Sequence, residues 1–543
     1  MHDLEKLLIE QITRGLKRQT VTTPSRWAME YRKMSKGPWR FDRFPWLREV
    51  HDSKAETNII QKGAQLGFTE TVLNITLYKI DVEGIDCLYL LPSKVPDASD
   101  FSSARFDAAL ELSEHLLKMF TDTRNIGHKR SGSSNLYIRG SKSVSQLKSI
   151  PVGFIVMDEV EEFGPRAIPL ALERASGQFE KQIWMLSTPS IDEVGINQYY
   201  NLSTKESFFF KCPHCGKQTN LIFPECLVIT AEDFHDKRVK DTHLICKECK
   251  VELAHKTKSE WLKSGVYVAE HTDRDYRGFH VNQLYATTVK PSEIAKSYLK
   301  SLTNPADEQE FYNSKLGLTH IVEGARITDA QIKACKRNYR TTDQQKTGII
   351  TMGIDVGTEI HYEIDRWLIP KGTKAQDISV GSTCKNIKFG KVKQFEEIDD
   401  LIKRYRVLFT VIDAHPEKRK ALELANRFHG IVRLCYYGKG VTGKNINIHK
   451  GEPTITVDRT SWLDLSLGRF HSETIHLPLD TSFEYTENLK ALVRVYEKDK
   501  DGNPVGRYVN GNREDHYAHA RNYSEIALPL AINRNKNQNI SEI

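Results

Sequence analysis

The sequence predicts a multidomain α/β chain: an N-terminal P-loop ATPase sheet with helices on both faces, an inserted zinc ribbon and a C-terminal RNase H-like nuclease unit. Three observations predict it. From Thr57 to Pro189 short apolar runs alternate with helical stretches, the pattern of a mainly parallel sheet. Two C-x2-C pairs then interrupt the alternation. From Gly348 a second series begins, in the order three strands, helix, strand, helix, strand, with aspartates closing its first and fourth strands.

Composition sets the outer limits. A chain of 543 residues is too long for one core, and its length suggests about three or four domains. Hydrophobic residues make up 39% and charged residues 27%, which fits a soluble globular protein. No apolar run reaches bilayer-spanning length, and the opening MHDLEKLLIEQ is acidic where a signal peptide is basic and then apolar. A cytoplasmic protein without membrane contact is expected. The net charge of +7 permits a polyanionic partner without requiring one. Nine cysteines, an odd number, favour metal binding over disulfides for any that are closely paired.

Residues 1–50 form a helical, adenine-side segment. Leu4, Leu7, Leu8 and Ile12 share one helix face. In GPWRFDRFPWLREV, Trp39, Phe41, Phe44 and Trp46 interleave with Arg40 and Arg43; these rings either stack on adenine or staple a loop to the core.

Residues 51–205 form the ATPase core. In TNIIQKGAQLGFTE a strand enters a Gly loop and then a helix near Thr69, a site where free N–H groups and the helix dipole favour an anion. The stretch departs from G-x-x-x-x-G-K-[ST]: Gly63 to Gly67 is one residue short, and Phe68 fills the lysine position. Lys62 can reach the phosphates from the other end of the loop, with the Thr69 hydroxyl on magnesium. Gln61, Gly63 and Gly67 complete the expected ATP-binding set. Next, FIVMDE ends a buried strand in two carboxylates. Asp158 is expected to hold magnesium and Glu159 to orient or deprotonate water. The strand Lys181 to Leu186 ends in Ser187, Thr188 and Pro189, which places Thr188 to sense the γ-phosphate. Arg105 and Arg174, on helices, are candidates for a finger completing a neighbour's site.

Residues 206–256 are the zinc-ribbon module. Cys212 and Cys215 are answered by Cys246 and Cys249, four thiolates for a tetrahedral, structural zinc with no position open to water. Residues 257–345 are expected to be a connector, with KACKRNYRTTDQQK as the hinge.

Residues 346–530 are the nuclease. GIITMGIDVG, HYEIDRWLI and DISVGST make a meander, and LFTVIDAHPE is the fourth strand. With first and fourth strands side by side, Asp355 and Asp413 face each other, and a helix from Arg513 to Leu528 adds Asp515 and His519 one turn apart. Two strand-end aspartates and a helix-borne ligand suit a pair of magnesium or manganese ions and phosphodiester cleavage. Residues 531–543 are a polar tail.

Together these stretches resemble the large terminase subunit of tailed bacteriophages, in its lambda-like branch. The resemblance runs from SRWAMEYRKM and GPWRF through QKGAQLGFTE, FIVMDEVEEF, LSTPS, CPHCG, ICKEC, GFHVNQLY and FYNSKLGL to GIDVG, VIDAHP and DHYAHARNY. It implies a deviant phosphate loop whose lysine is Lys62. It also implies cutting of concatemeric double-stranded DNA and ATP-driven transfer through a portal into an empty capsid. The expected partners are a small terminase subunit and further copies in a homo-oligomeric ring with a trans arginine, and the expected location is the host cytoplasm. One departure stands out: where D-H-x-x-D-A-x-x-Y carries its second Asp, this chain has His519. Asp515 is favoured as the third ligand, with His519 assisting, and an imidazole there suits manganese somewhat better.

The alternatives are a repair or recombination ATPase-nuclease and a transposase-like DNA-processing enzyme. A helicase would need a second ATPase-like lobe, and a transposase leaves the N-terminal motifs without a role.

Overall fold

Four strands that read as apolar runs, Thr57–Lys62, Cys87–Leu91, Phe154–Asp158 and Gln182–Ser187, are buried at every residue. Burial on both faces is the mark of a parallel sheet covered by helices. The computed structural model describes residue 5 and residues 21–121, 123–142, 147, 150–164, 166–342, 348–370, 372–373, 377–438, 440–511 and 513–540. Leu4, Leu7, Leu8 and Ile12 lie outside the described residues. The chain divides into two units, Met1–His320 and Ile321–Ile543.

In the first unit an 11-stranded sheet has a parallel centre. Arg277–Val281, Thr57–Lys62, Gln182–Ser187, Phe154–Asp158, Cys87–Leu91 and Ser134–Gly140 follow in that order. Antiparallel strands close both sides: the hairpin Thr123–Asn125 with His128–Ser131 on one, and Gln218–Thr219 and Val266–Val268 on the other. Because the central strands run the same way, Lys62, Asp158 and Ser187 emerge at one edge. The stretch expected to be one long helix, Ala98 to Phe120, is broken into Phe101–Asp107, Ala108–Glu111 and Glu114–Met119, with Ser113 in extended conformation between the last two.

Three expected boundaries need correction. Residues 257–345 are not a connector: Arg277–Val281 pairs with Thr57–Lys62 inside the sheet, and the first unit runs to His320. The zinc module is smaller than 206–256, since Glu206–Lys211 is itself a sheet strand parallel to Arg277–Val281. The helix Asp329–Cys335, expected in a hinge, belongs to the second unit, where Ile332 and Cys335 are buried in a core cluster. Rings of the 37–50 segment staple it to the core: Trp39, Phe41 and Trp46 are buried in the main cluster of the first unit.

The second unit has an eight-stranded sheet. Ile349–Val356 pairs antiparallel with Ile360–Leu368, which pairs antiparallel with Thr383–Val392. The third strand therefore follows DISVGST, whose Ile378–Gly381 forms a short helix. Phe409–Asp413 lies parallel beside Ile349–Val356, as expected for first and fourth strands. The helix His516–Ile540 crosses this sheet. At the crossing a Cβ on Gly353 would sit 1.9 Å from the Ala520 carbonyl and 2.2 Å from the Ser524 nitrogen, so only glycine lets the helix this close. The helix continues through residue 540 with Ala531 and Ile532 buried, so the polar tail does not begin at 531.

Beneath that helix lies a buried ionic network. Arg521 meets Glu363, Asp365 and Glu525, and Arg469 meets Glu525 at 2.7 Å. Tyr485 donates to Glu363 Oε2 at 2.7 Å. Among the described residues, no helix is long and apolar enough to cross a membrane.

Candidate active sites

The first site is built on the loop between Lys62 and Phe68. Gly67 adopts φ 86° to turn the chain into the helix Phe68–Tyr78, a backbone angle that glycine takes without strain. The first N–H bonded back into this helix is that of Thr71, to Gly67 O, so the preceding N–H groups are available to an anion. The loop is shaped from outside. Gly63 N–H donates to Val281 O at 2.9 Å and Ala64 N–H to Ser314 O at 2.7 Å. Trp46 Nε1 donates to Leu66 O at 3.1 Å, and Gln283 Nε2 to Ala64 O at 2.8 Å. Gln61 takes part in this bracing: its side chain donates to Gly317 O and accepts from Asn197 Nδ2, and it is 3% exposed. It supports the loop from behind.

Lys62 Nζ lies 3.9 Å from Glu159 Oε1. Glu159 has φ 58°, a left-handed conformation uncommon outside glycine, directly after the buried strand. Asp158 is buried. Tyr89 donates to its Oδ2 at 2.8 Å, and Oδ1 has no hydrogen-bond partner among the described residues. Burial, and then the Glu159 charge, push the Asp158 carboxyl up to about 6 against the pull of Lys62, Tyr89 and the Thr69 hydroxyl. An unpartnered buried carboxylate oxygen beside a threonine hydroxyl and a lysine suits a magnesium nucleotide. Thr188 sits half-buried just past its strand end. Arg105 is exposed, and its charge is felt at Tyr89; Arg174 is half-buried and donates to Leu170 O.

Sequence reasoning missed Tyr89 and Glu161 here. Glu161 accepts from Ser190 N at 3.2 Å, Ile196 N at 3.1 Å and the Ser190 hydroxyl, tying the acidic strand end to the Ser187–Ser190 turn. Burial pushes its carboxyl up to about 7. Its partners lie 29 and 35 residues away, so local spacing carried no signal.

The second site is at the carboxyl edge of the second sheet. The register pairs Ile354 with Ile412, so Asp355 and Asp413 leave adjacent parallel strands side by side. Burial pushes Asp413 up to about 6, opposed by the His415 N–H and helped by the charge of Asp355. The helix contributes Asp515, His516 and His519. Burial works to raise the Asp515 carboxyl, but the hydrogen bond and charge of His519, then Arg459 and His516, hold it below its usual range. His519 Nε2 lies 3.3 Å from Asp515 Oδ2 and 3.2 Å from Arg459 Nη2, and its Nδ1 is 3.2 Å from the Tyr437 hydroxyl.

His516, Tyr437 and Arg459 were not foreseen. His516 Nδ1 is 2.7 Å from Asp355 Oδ2, and that bond raises the imidazole's pKa. Its ring stacks on His361 at 4.6 Å. The signal was present in DHYAH, where His516 stands between the two residues that were chosen. Tyr437 and Arg459 come from distant elements and left no local trace.

The third site is the cysteine cluster. The sulfurs of Cys212, Cys215, Cys246 and Cys249 all lie within 4.8 Å of one another. Among the described residues this is the one group of three or more potential ligand side chains drawn so tightly together; the three aspartates of the second sheet are spaced more widely. The two knuckles repeat each other. Cys212 Sγ accepts His214 N–H and Cys246 Sγ accepts Glu248 N–H, both at 3.4 Å. Gly216 and Lys250 take left-handed φ values of 69° and 60° and donate to Cys212 O and Cys246 O, both at 2.9 Å. Peptide N–H groups aimed at sulfur stabilise thiolates, and four thiolates suit zinc. Cys226 is buried apart from the cluster and donates to Asn220 O at 3.5 Å.

Residues 33–267 match the family described as phage terminase large subunit gpA, ATPase domain, and residues 276–381 match terminase large subunit gpA, endonuclease domain. The second match includes Asp355 and stops before Asp413 and Asp515. No curated protein matches the chain. Among solved structures, the large terminase ATPase domain of Thermus phage P74-26 is 13% identical with TM-score 0.32, covering 53% of this chain and 98% of its own. A full-length large terminase from another thermophilic bacteriophage is 12% identical with TM-score 0.31, covering 90% of this chain and 98% of its own. The large terminase nuclease of thermophilic phage G20c, solved with bound magnesium, is 11% identical with TM-score 0.24, covering 37% and 97%. These overlaps are low, and the family assignment rests on the two sequence families.

Proposed function

Because the chain belongs to the phage terminase large-subunit family and carries both its ATPase and its endonuclease domain, we propose that it is the motor and nuclease of genome packaging. In this reading it cuts concatemeric double-stranded DNA and drives it by ATP hydrolysis through the portal into an empty capsid in the host cytoplasm. A small terminase subunit recruits it, and further copies form a ring in which a trans arginine completes each ATP site.

The observation that carries the reading is the pairing, in one chain, of two acidic sheet edges. One has Lys62, Asp158 and Glu159 beside a helix N-terminus; the other has Asp355 and Asp413 on adjacent parallel strands. In the first, Lys62 and the N–H groups at the start of the helix hold phosphate, with Gly63 and Gly67 letting the backbone approach. Asp158 and Thr69 would hold magnesium, which supplies charge neutralisation across the phosphates. Glu159 orients the attacking water and takes its proton, and Thr188 faces the γ-phosphate. Gln61 acts through the loop it braces. In the second, Asp355, Asp413 and Asp515 of an RNase H-like unit would hold magnesium or manganese, which supplies Lewis acidity at the phosphodiester. His516 holds Asp355 in place, and His519 supports Asp515. Cys212, Cys215, Cys246 and Cys249 would hold a structural zinc that fixes the ribbon's loops.

Two assays test the reading. Lys62→Ala and Glu159→Ala abolish ATP turnover in a chain that still folds; normal turnover in both removes the motor assignment. Supercoiled plasmid with magnesium or manganese is cut by wild type and Glu159→Ala but not by Asp355→Ala. Equal cutting by wild type and Asp355→Ala removes the nuclease assignment.

A further inference from the structure

The nuclease edge contains a cation with no carboxylate of its own. Arg459 begins the helix Arg459–His471, capped by Asp458, and its half-buried side chain reaches across to the acidic edge. Nη1 donates to Tyr508 O at 2.9 Å, and Nη2 meets His519 Nε2 at 3.2 Å. The guanidinium stands over the Tyr437 ring, 6.0 Å from its centre. Among the described residues it makes no ion pair, although neighbouring arginines do: Arg494 is paired with Asp464, and Arg469 with Glu525. The two polar contacts occupy two of five N–H donors in a planar fork suited to a phosphate.

A half-buried cation left unpaired beside a carboxylate cluster is poorly explained by stability alone, since holding it there costs desolvation. It is well explained by an anion that arrives with the substrate. We propose that Arg459 contacts a backbone phosphate of the DNA strand being cut, and that its bond to Tyr508 O fixes it through the hairpin Val493–Lys498 and Pro504–Val509. This rests on the nuclease reading above. The contact reads charge and shape and no base, so it adds affinity equally on all sequences. The hairpin enters because its strand carries the carbonyl that orients the guanidinium; Asp464 holds the same strand through the Tyr508 hydroxyl at 2.9 Å.

The test uses the full-length chain. Arg459→Ala raises KM for plasmid cleavage about tenfold, the size of one lost charge-assisted contact, and Arg459→Lys recovers part of the loss. In an Asp355→Ala background, which binds without cutting, adding Arg459→Ala lowers the salt dependence of binding to a short fluorescent duplex by about 0.9 in log–log slope, equally for two unrelated sequences. Asp464→Asn loosens the hairpin without touching the guanidinium and leaves that slope unchanged.

Wild-type KM and an unchanged slope in Arg459→Ala overturn the inference. So does the same loss of slope in Asp464→Asn, which would assign the effect to the hairpin, and so does faster cutting by Arg459→Ala, which would make the contact a brake. If Asp355→Ala is silent while Arg459→Ala behaves as wild type, this inference alone falls; if Asp355→Ala cuts normally, the nuclease reading falls with it.

Discussion

Gly317 presses on the phosphate loop from behind, and substituting it separates two effects that usually act together. It has φ +65°, and a Cβ there would lie 2.5 Å from both Gly63 N and Lys62 C, backbone atoms that cannot swing aside. Gly84, in the same unit, has nearly the same angle, φ +70°, but its Cβ would meet nothing nearer than Ser134 Oγ at 3.9 Å. Gly84→Ala therefore carries only left-handed strain, about 1–2 kcal/mol. Gly317→Ala carries the same strain plus overpacking of about 1–3 kcal/mol, so the two variants should differ by that second amount. The push falls on Gly63 and Lys62, so Gly317→Ala also weakens binding of ATP, and Gly84→Ala does not. Urea denaturation of both variants, followed with titration of a fluorescent ATP analogue, reads the two effects. Equal losses of stability with equal nucleotide affinity would refute the claim that residues 313–317 shape the loop.

Three further outcomes follow from buried groups. His51 is fully buried and neutral: Nδ1 donates to Leu47 O at 2.7 Å, and Nε2 accepts from Asn74 Nδ2 at 3.2 Å. Burial lowers its pKa from 6.5 to about 4, so the unfolded chain binds the proton first. The stability it contributes is present above about pH 6.5 and lost as pH falls toward 4, at most about 3 kcal/mol; denaturation midpoints at pH 5 and 7 should converge in His51→Gln. Removing Arg521 by Arg521→Met leaves Glu363, Asp365 and Glu525 without that guanidinium. It should destabilise the second unit by about 3–5 kcal/mol in urea denaturation, and a loss under 1 kcal/mol would show the network to be neutral. Finally, metal analysis should find one zinc per chain in wild type and none in Cys215→Ala or Cys249→Ala, with limited proteolysis then cutting between residues 212 and 253. Unchanged zinc would place the metal elsewhere.

Local chemistry was legible wherever a short stretch carried it. The two C-x2-C pairs announced their cluster because four thiols within two knuckles have little else to do in a reducing compartment. Asp158, Asp355 and Asp413 were legible because a buried strand reads as an apolar run and exposes only its last residue at the sheet edge. His516 was readable and passed over, since helical spacing drew the eye to Asp515 and His519. The Arg277–Val281 strand was not readable as part of the first sheet. Five residues with no periodicity look like connector, and only pairing with Thr57–Lys62 reveals what they are.

What the sequence determined by itself, then, is the order of the chemistry along the chain: Lys62, the acidic strand ends, the cysteines and the second set of aspartates. These depend on residue type, spacing and the two-residue and 3.6-residue periods, all local quantities. The tertiary structure alone decided which distant groups surround them. Gln61 became a brace because Gly317 and Asn197 arrive beside it. Tyr89 found Asp158, and Arg459 was brought to His519 from 60 residues away. Such contacts are set by how elements pack, through hydrophobic burial that has no direction and leaves no mark at the residues it happens to bring together.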